Sequence, residues 1–200
     1  GLYFDQQSQV LIRDCVITNN QCSVLGTQEG GGLYINGGQL RVENSDFVAN
    51  ALPKASWPTV SRGGALAAVN TQVVLSNTLF RSNYVHSRHN NAFGGAVYVV
   101  GGRCEIIGST FVTNWAQGDT YDTADNGQDY GGALHFDGVG RFGVRESYFA
   151  GNYCVGRGST RRGDVLYVQG AATGSVVDSV AVLNGYNNSY GGEAQLYVAG

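Results

Sequence analysis

Residues 63–83 read GGALAAVNTQVVLSNTLFRSN, and nearly the same wording returns elsewhere in the 200-residue chain. It recurs as GGGLYINGGQLRVENSDFVAN (30–50), GGAVYVVGGRCEIIGSTFVTN (94–114) and GGALHFDGVGRFGVRESYFAGN (131–152). Weaker copies are GLYFDQQSQVLIRDCVITNN (1–20) and GDVLYVQGAATGSVVDSVAVLN (163–184), with a fragment, GGEAQLYVAG, at 191–200. The aliphatic residue after each glycine motif is Leu2, Leu33, Leu66, Val97, Leu134, Leu166 and Leu196, giving steps of 31, 33, 31, 37, 32 and 30 residues. A period in this range marks a solenoid or a propeller.

Apolar residues alternate with period two inside each unit, as in strands with one buried face. Leu33 and Ile35 oppose Tyr34, Leu40 and Val42 oppose Arg41, and Ser45 and Phe47 turn inward again. Three short strands per unit, with no helix-period segment, predict an all-β parallel β-helix of about six coils stacked about 4.8 Å apart. Propeller blades would need hairpin signals at a fixed offset, and none recurs. The coils fall at about 1–29, 30–62, 63–93, 94–130, 131–162 and 163–190, with an incomplete one at 191–200.

Stacking puts like residues over like. The glycine pair falls where the chain turns into the first strand and positive φ is needed. Asn20, Asn50, Asn83, Asn114, Asn152 and Asn184 form a column whose amides can satisfy a bend and the next coil. Phe47, Phe80, Phe111 and Phe149 fill the core beside it, with Ile17 and Ala181 in the weaker copies. The recurring motif is therefore a folding instruction.

The GGAL/GGAV pairs followed by FVAN, FRSN, FVTN and FAGN resemble the repeat of the polymorphic outer membrane proteins, with signatures GGA[ILV] and FxxN. The resemblance spans the whole chain; Gly163-Asp164 and Ala181 depart from it. It implies a right-handed β-helix similar to autotransporter passengers and the pectin-lyase-like superfold, acting as a surface-exposed adhesive or structural stalk.

Composition narrows the functional classes. Net charge is −3, so no sequence-wide basic field suits nucleic acid. No run of about 18 apolar residues would span a bilayer. With no methionine and a last unit that stops after one strand, the chain reads as a segment of something longer. Unpaired strand edges would then meet flanking coils, or copies stacked end to end.

Two features are candidates for recognition. Tyr3, Tyr34, Tyr98, His135, Tyr167 and Tyr197 share the column after the aliphatic residue, with Ala67 interrupting. Alternation points this column away from the core; it reads as a stabilising ladder, a strip for sugars or protein, or a face buried against another subunit. The variable segments 21–29, 51–62, 84–93, 115–130, 153–162 and 185–190 lie on one edge, where solenoids place recognition. One holds Asp119, Asp122, Asp125 and Asp129, which read either as partners for Arg88, Arg157, Arg161 and Arg162 or as oxygen ligands for calcium. His86 and His89 lack companions at zinc spacing.

Cys15 and Cys104 fall in inward columns and read as buried small residues. Cys22 and Cys154 share a face but stand about four coils, roughly 19 Å, apart, too far for a disulfide, which leaves Cys15–Cys22 within one coil, or bonds to other segments, open. Asn187-Asn188-Ser189 is a glycosylation sequon for a secretory pathway. Catalysis on this fold needs clustered outward carboxylates, but Glu43 is followed by Ser76 and Ile107, and the column Asp14, Asn44, Asn77, Gly108, Glu146, Asp178 separates its acids. The sequence therefore predicts a non-catalytic extracellular structural or adhesive element, with a carbohydrate-binding or carbohydrate-cleaving module as the alternative.

Overall fold

A computed structural model describes residues 1–5, 8–23, 26–53, 60–88, 91–119, 128–155, 160–185 and 196–199. It is an all-β parallel solenoid, and among these residues there is no helix, hence none able to cross a membrane. Sheet I stacks Leu2–Asp5, Leu33–Asn36, Leu66–Val69, Val97–Val100, Leu134–Asp137, Leu166–Gln169 and Leu196–Ala199. Sheet II stacks Gln9–Arg13, Gln39–Glu43, Gln72–Ser76, Arg103–Ile107, Arg141–Arg145 and Thr173–Val177. Sheet III stacks Val16–Thr18, Asp46–Val48, Leu79–Arg81, Thr110–Val112, Tyr148–Ala150 and Val180–Val182. Registers match the repeat: Leu66 lies opposite Leu33 and Val97, and Phe80 opposite Phe47 and Phe111.

The variable edge is more ordered than three strands per coil anticipates. Two further parallel sheets run along it. Sheet IV contains Ala51–Leu52, Tyr84–Arg88, Trp115–Asp119 and Tyr153–Cys154; sheet V contains Gln28–Glu29, Ser61–Arg62, Ala92–Phe93, Gln128–Tyr130 and Thr160–Arg162. The segments 51–62, 84–93, 115–130 and 153–162 thus leave and rejoin the stack as strand. The reason is general: any backbone brought alongside the coil above can close a parallel ladder rather than leave its polar groups unpaired.

Two cores result. The larger is enclosed by sheets I to III and includes Leu33, Ile35, Leu40, Val42, Leu75 and Ile106, all essentially inaccessible. At its centre Phe47, Phe80, Phe111 and Phe149 stack with ring centroids 5.0, 4.8 and 4.9 Å apart. The smaller lies between sheets IV and V, built on Leu52, Val85, Ala92, Ala116 and Cys154, with Cys22 against it.

The corners carry the polar work. Asn50, Asn83, Asn114 and Asn152 are fully buried. Asn83 is representative: its Oδ1 accepts from the Asn50 backbone N–H (2.9 Å) and Nδ2 (3.1 Å), while its Nδ2 donates to Phe47 O (2.9 Å) and Asn114 Oδ1 (3.0 Å). Both donors and both lone pairs are used, which is full satisfaction for an amide. The ladder runs unbroken from Asn20 to Asn184. A parallel hydroxyl column stands at the corner between sheets II and III. Thr78 N–H donates to Ser109 Oγ (3.3 Å) and Ser109 N–H to Ser147 Oγ (3.2 Å). Cys15 occupies this column on the first coil, where it is exposed rather than buried as expected, because no described coil covers that side.

Four corners of the coil turn on single residues in the left-handed region. Gly63 (φ 68°) leads into sheet I, Asn70 (φ 48°) into sheet II, Asn77 (φ 48°) into sheet III and Ser82 (φ 55°) into the Asn column. The polar column Asp14, Asn44, Asn77, Gly108, Glu146 and Asp178 is the third of these corners, with φ between 46° and 56°. Its Asp and Asn members belong to the residue types that tolerate this conformation. The two glycines of each pair have different tasks. Gly63 supplies positive φ, whereas a Cβ on Gly64 would stand 2.2 Å from Gly95 O and 2.5 Å from Tyr84 O.

Two substitutions test this account. Asn83→Ala removes four buried side-chain hydrogen bonds and should cost about 3–5 kcal/mol in denaturant unfolding. Ala49 holds φ 54° without a side-chain reason, so Ala49→Gly should raise stability by about 0.5–1 kcal/mol.

Candidate binding surfaces

The tyrosine column does point away from the main core, but it is not an open strip. Tyr3 is 69% exposed and stacks on half-buried Tyr34 at 5.2 Å. Ala67 interrupts the column, and beyond it Tyr98, His135 and Tyr167 are 1–3% exposed. Their cover is the chain's own sheet V. The expectation of one outward face is corrected accordingly: alternation fixes the direction of a side chain, not what lies over it. Tyr197 continues the register opposite Tyr167, with its side chain outside the described part.

Sheet V alternates its contacts residue by residue. Ala92 packs into the smaller core, while Phe93 and Tyr130, directly before the glycine motifs, turn onto the outer face of sheet I. Phe93 meets His135 edge-on at 4.7 Å, and Tyr130 stacks on Tyr167 at 4.1 Å. The Arg62 guanidinium carbon sits 5.4 Å from the Tyr98 ring centroid, and Arg62 also pairs with Glu29 at 2.9 Å. Burial pushes the Tyr98 phenol well above its ordinary range; its hydroxyl donates to Asp137 Oδ2 at 3.4 Å. This cover was readable only as a column of residues before each glycine motif (Glu29, Arg62, Phe93, Tyr130, Arg162), whose chemical variety hides the register.

A second aromatic column, missed in the sequence, begins one residue past the Asn ladder. Tyr84 and Trp115 stack at 4.4 Å, Tyr153 follows at 6.3 Å, and all three are partly exposed. His86 tilts against Trp115 at 6.1 Å. Because the rings cover one another's faces, the column offers solvent mainly ring edges.

The acidic segment does not assemble a described site. Asp122 and Asp125 lie outside the described residues, as does the side chain of Asp119. Asp129 is fully buried, in register with Arg161 on the neighbouring strand. Among the described residues no three His, Cys, Asp or Glu side chains gather at metal-binding distance. His89 and the sequon residue Asn187 also fall outside the description.

The four thiols are free. Cys104 and Cys154 are buried, and burial raises both thiols well above their ordinary range, which leaves them poor nucleophiles. Cys22 and Cys154 end the same inward column of the smaller core, several coils apart. Asp164 stands where other coils have their second glycine; its Oδ1 accepts the Cys154 backbone N–H at 2.8 Å, and burial raises its carboxyl.

The outer face of sheet II forms an open groove of about 350 Å³ over the first three coils. Gln9, Gln39 and Gln72 line it in register, with Leu11, Arg41 and Val74 beside them. At its margin Glu43 receives hydrogen bonds from Arg41 and from Arg13 (2.7 Å), which hold its carboxyl below the usual range. The arrangement supplies amides and a guanidinium for hydrogen bonding but no pair of opposed carboxylates.

The fold and these faces define a parallel β-solenoid. No family model matches the chain, and no curated protein or solved structure matches it either.

The burial pattern predicts a sharp difference in chemical labelling. Brief tyrosine nitration of the folded protein should modify Tyr3 readily and leave Tyr98 and Tyr167 at least tenfold slower by peptide mass spectrometry. Equal labelling would mean that sheet V does not cover the column.

Proposed function

We propose that this chain is a non-catalytic structural or adhesive β-solenoid, part of an extracellular or cell-surface stalk or filament. One observation carries the reading: the side chains that recur from coil to coil are consumed by the stack itself. The Asn amides, Ser and Thr hydroxyls and Phe rings bond or pack to their counterparts one coil away, as in Asn83 with Asn114 and Phe80 with Phe111. Such a chain is selected for length and rigidity, the properties of a spacer. The GGA[ILV]/FxxN resemblance supports a surface location, and other protein subunits are the proposed partners. End-to-end self-association fits because each coil offers the next the same register and the same amide pattern.

Carbohydrate binding is the second reading, and the sheet II groove is what favours it. Glutamine amides at regular spacing, with Arg41 beside them, suit the hydroxyls of an extended glycan.

Electron microscopy of native material containing this chain separates the two. Regular subunit repeats along a fibre or stalk support the structural role. Isolated particles that bind a polysaccharide, and lose it in Gln39→Ala with Gln72→Ala, would replace it with the carbohydrate role. Particles that neither assemble nor bind would refute both.

A further inference from the structure

His135 is the one member of the tyrosine column that can change charge near neutral pH, and it sits at the centre of the covered face. Its ring lies 4.7 Å from Phe93, 5.2 Å from Tyr98, 5.0 Å from Tyr167 and 6.1 Å from Tyr130. It is 1% exposed, and neither ring nitrogen makes a hydrogen bond. A buried imidazole with two unpaired nitrogens is uncommon, because each unpaired polar group costs stability. A tyrosine stands at this position in the neighbouring coils and would fill the column without that cost.

We propose that His135 makes the cover over this aromatic face acid-labile, so that protonating its imidazole parts sheet V from sheet I and exposes Tyr98 and Tyr167. This inference does not depend on the structural or adhesive role.

Burial and the Arg62 guanidinium disfavour a cation here, with only the Tyr130 backbone acting the other way. Within sheet I, Tyr98 and Tyr167 flank it on the two neighbouring strands, and Asp137, two residues on, is engaged by the Tyr98 hydroxyl. From sheet V come Phe93, Tyr130 and the Arg62 guanidinium, whose own partner is Glu29. Arg162 lies in register with Tyr130, and Asp129, next to Tyr130 along the strand, points to the other side. The Tyr130 carbonyl gives the imidazole some polar support without hydrogen-bond geometry. Burial, assisted by Arg62, therefore pulls the imidazole down from 6.5 to about 3.

The sign follows from proton linkage. Above pH 6.5 both the covered and the uncovered forms hold a neutral ring, and the cover has its full stability. Below it, the uncovered form takes up a proton that the covered form refuses. Opening is then favoured about tenfold per pH unit until the covered form titrates near 3. Sheet V is the element that yields. Its strands here, Ala92–Phe93 and Gln128–Tyr130, are two and three residues long, whereas those of sheets I and II have four or five.

Hydrogen exchange by mass spectrometry between pH 7.5 and 4.5, corrected for the intrinsic pH dependence of exchange, tests the proposal. Opening of peptides containing residues 91–93 and 128–130 should rise about a hundredfold between pH 7.5 and 4.5. His135→Tyr and His135→Phe should cut that rise to less than threefold, with sheets II and III protected throughout. An equal rise in the variants, no rise in the native protein, or simultaneous loss of protection in sheets II and III would overturn it. Should neither variant fold, ¹⁵N titration of the native imidazole decides. A ring that titrates near 6.5 while sheet V stays protected refutes the proposal; one that stays neutral until sheet V opens upholds it.

Discussion

The structure depends on one constraint: every coil must satisfy its backbone and corner groups on the coils next to it. Parallel strands of three to five residues carry too few hydrogen bonds to be stable alone, so the stack supplies what the single coil lacks. The Asn ladder is where this shows most directly. Each buried amide bonds at once to a backbone N–H below, to a carbonyl below and to an amide above. Registers that slip by one residue would break all of these together and turn the Phe stack out of the core. The same requirement places residues of positive φ at the corners, singly as at Asn77 or in pairs as at Gly37 and Gly38.

The main architecture was legible because its columns are chemically uniform. Leu33, Leu66 and Leu134, or Phe47, Phe80 and Phe111, repeat at one spacing, and a period of two within each copy gives the faces. Sheets IV and V were not legible for two physical reasons. Most of their strands have only two or three residues, too few for alternation to register. Their columns also mix chemistry: Gln28, Ser61, Ala92, Asp129 and Arg161 share one. The polar column from Asp14 to Asp178 was visible as a column, but its cause, a left-handed corner, is a backbone property that residue spacing alone does not reveal.

The candidate faces were less legible than the fold, because a binding surface depends on what is left uncovered. The outward direction of Tyr98 and Tyr167 was correctly read, and their concealment came from Phe93 and Tyr130, residues of the variable edge. Conversely, the partly exposed stack of Tyr84, Trp115 and Tyr153 stands immediately after Asn83, Asn114 and Asn152. Its members differ in kind, and the equivalent position in another coil is Ala51, so the column does not announce itself.

The second glycine of each pair has an evolutionary consequence. Where Gly64 passes within contact distance of Gly95 O and Tyr84 O, the coil leaves no room for even one added carbon. Insertions of one or a few residues in sheets I to III would displace these contacts in both adjacent coils. A duplication of one whole period preserves them, and so do changes of length in the segments joining sheets IV and V. Lineages carrying this fold should therefore vary in length by whole coils along the axis, and by residues chiefly along one edge. Single-residue changes should fall at the corner between sheets I and II, where 137–141 is already one longer than 100–103.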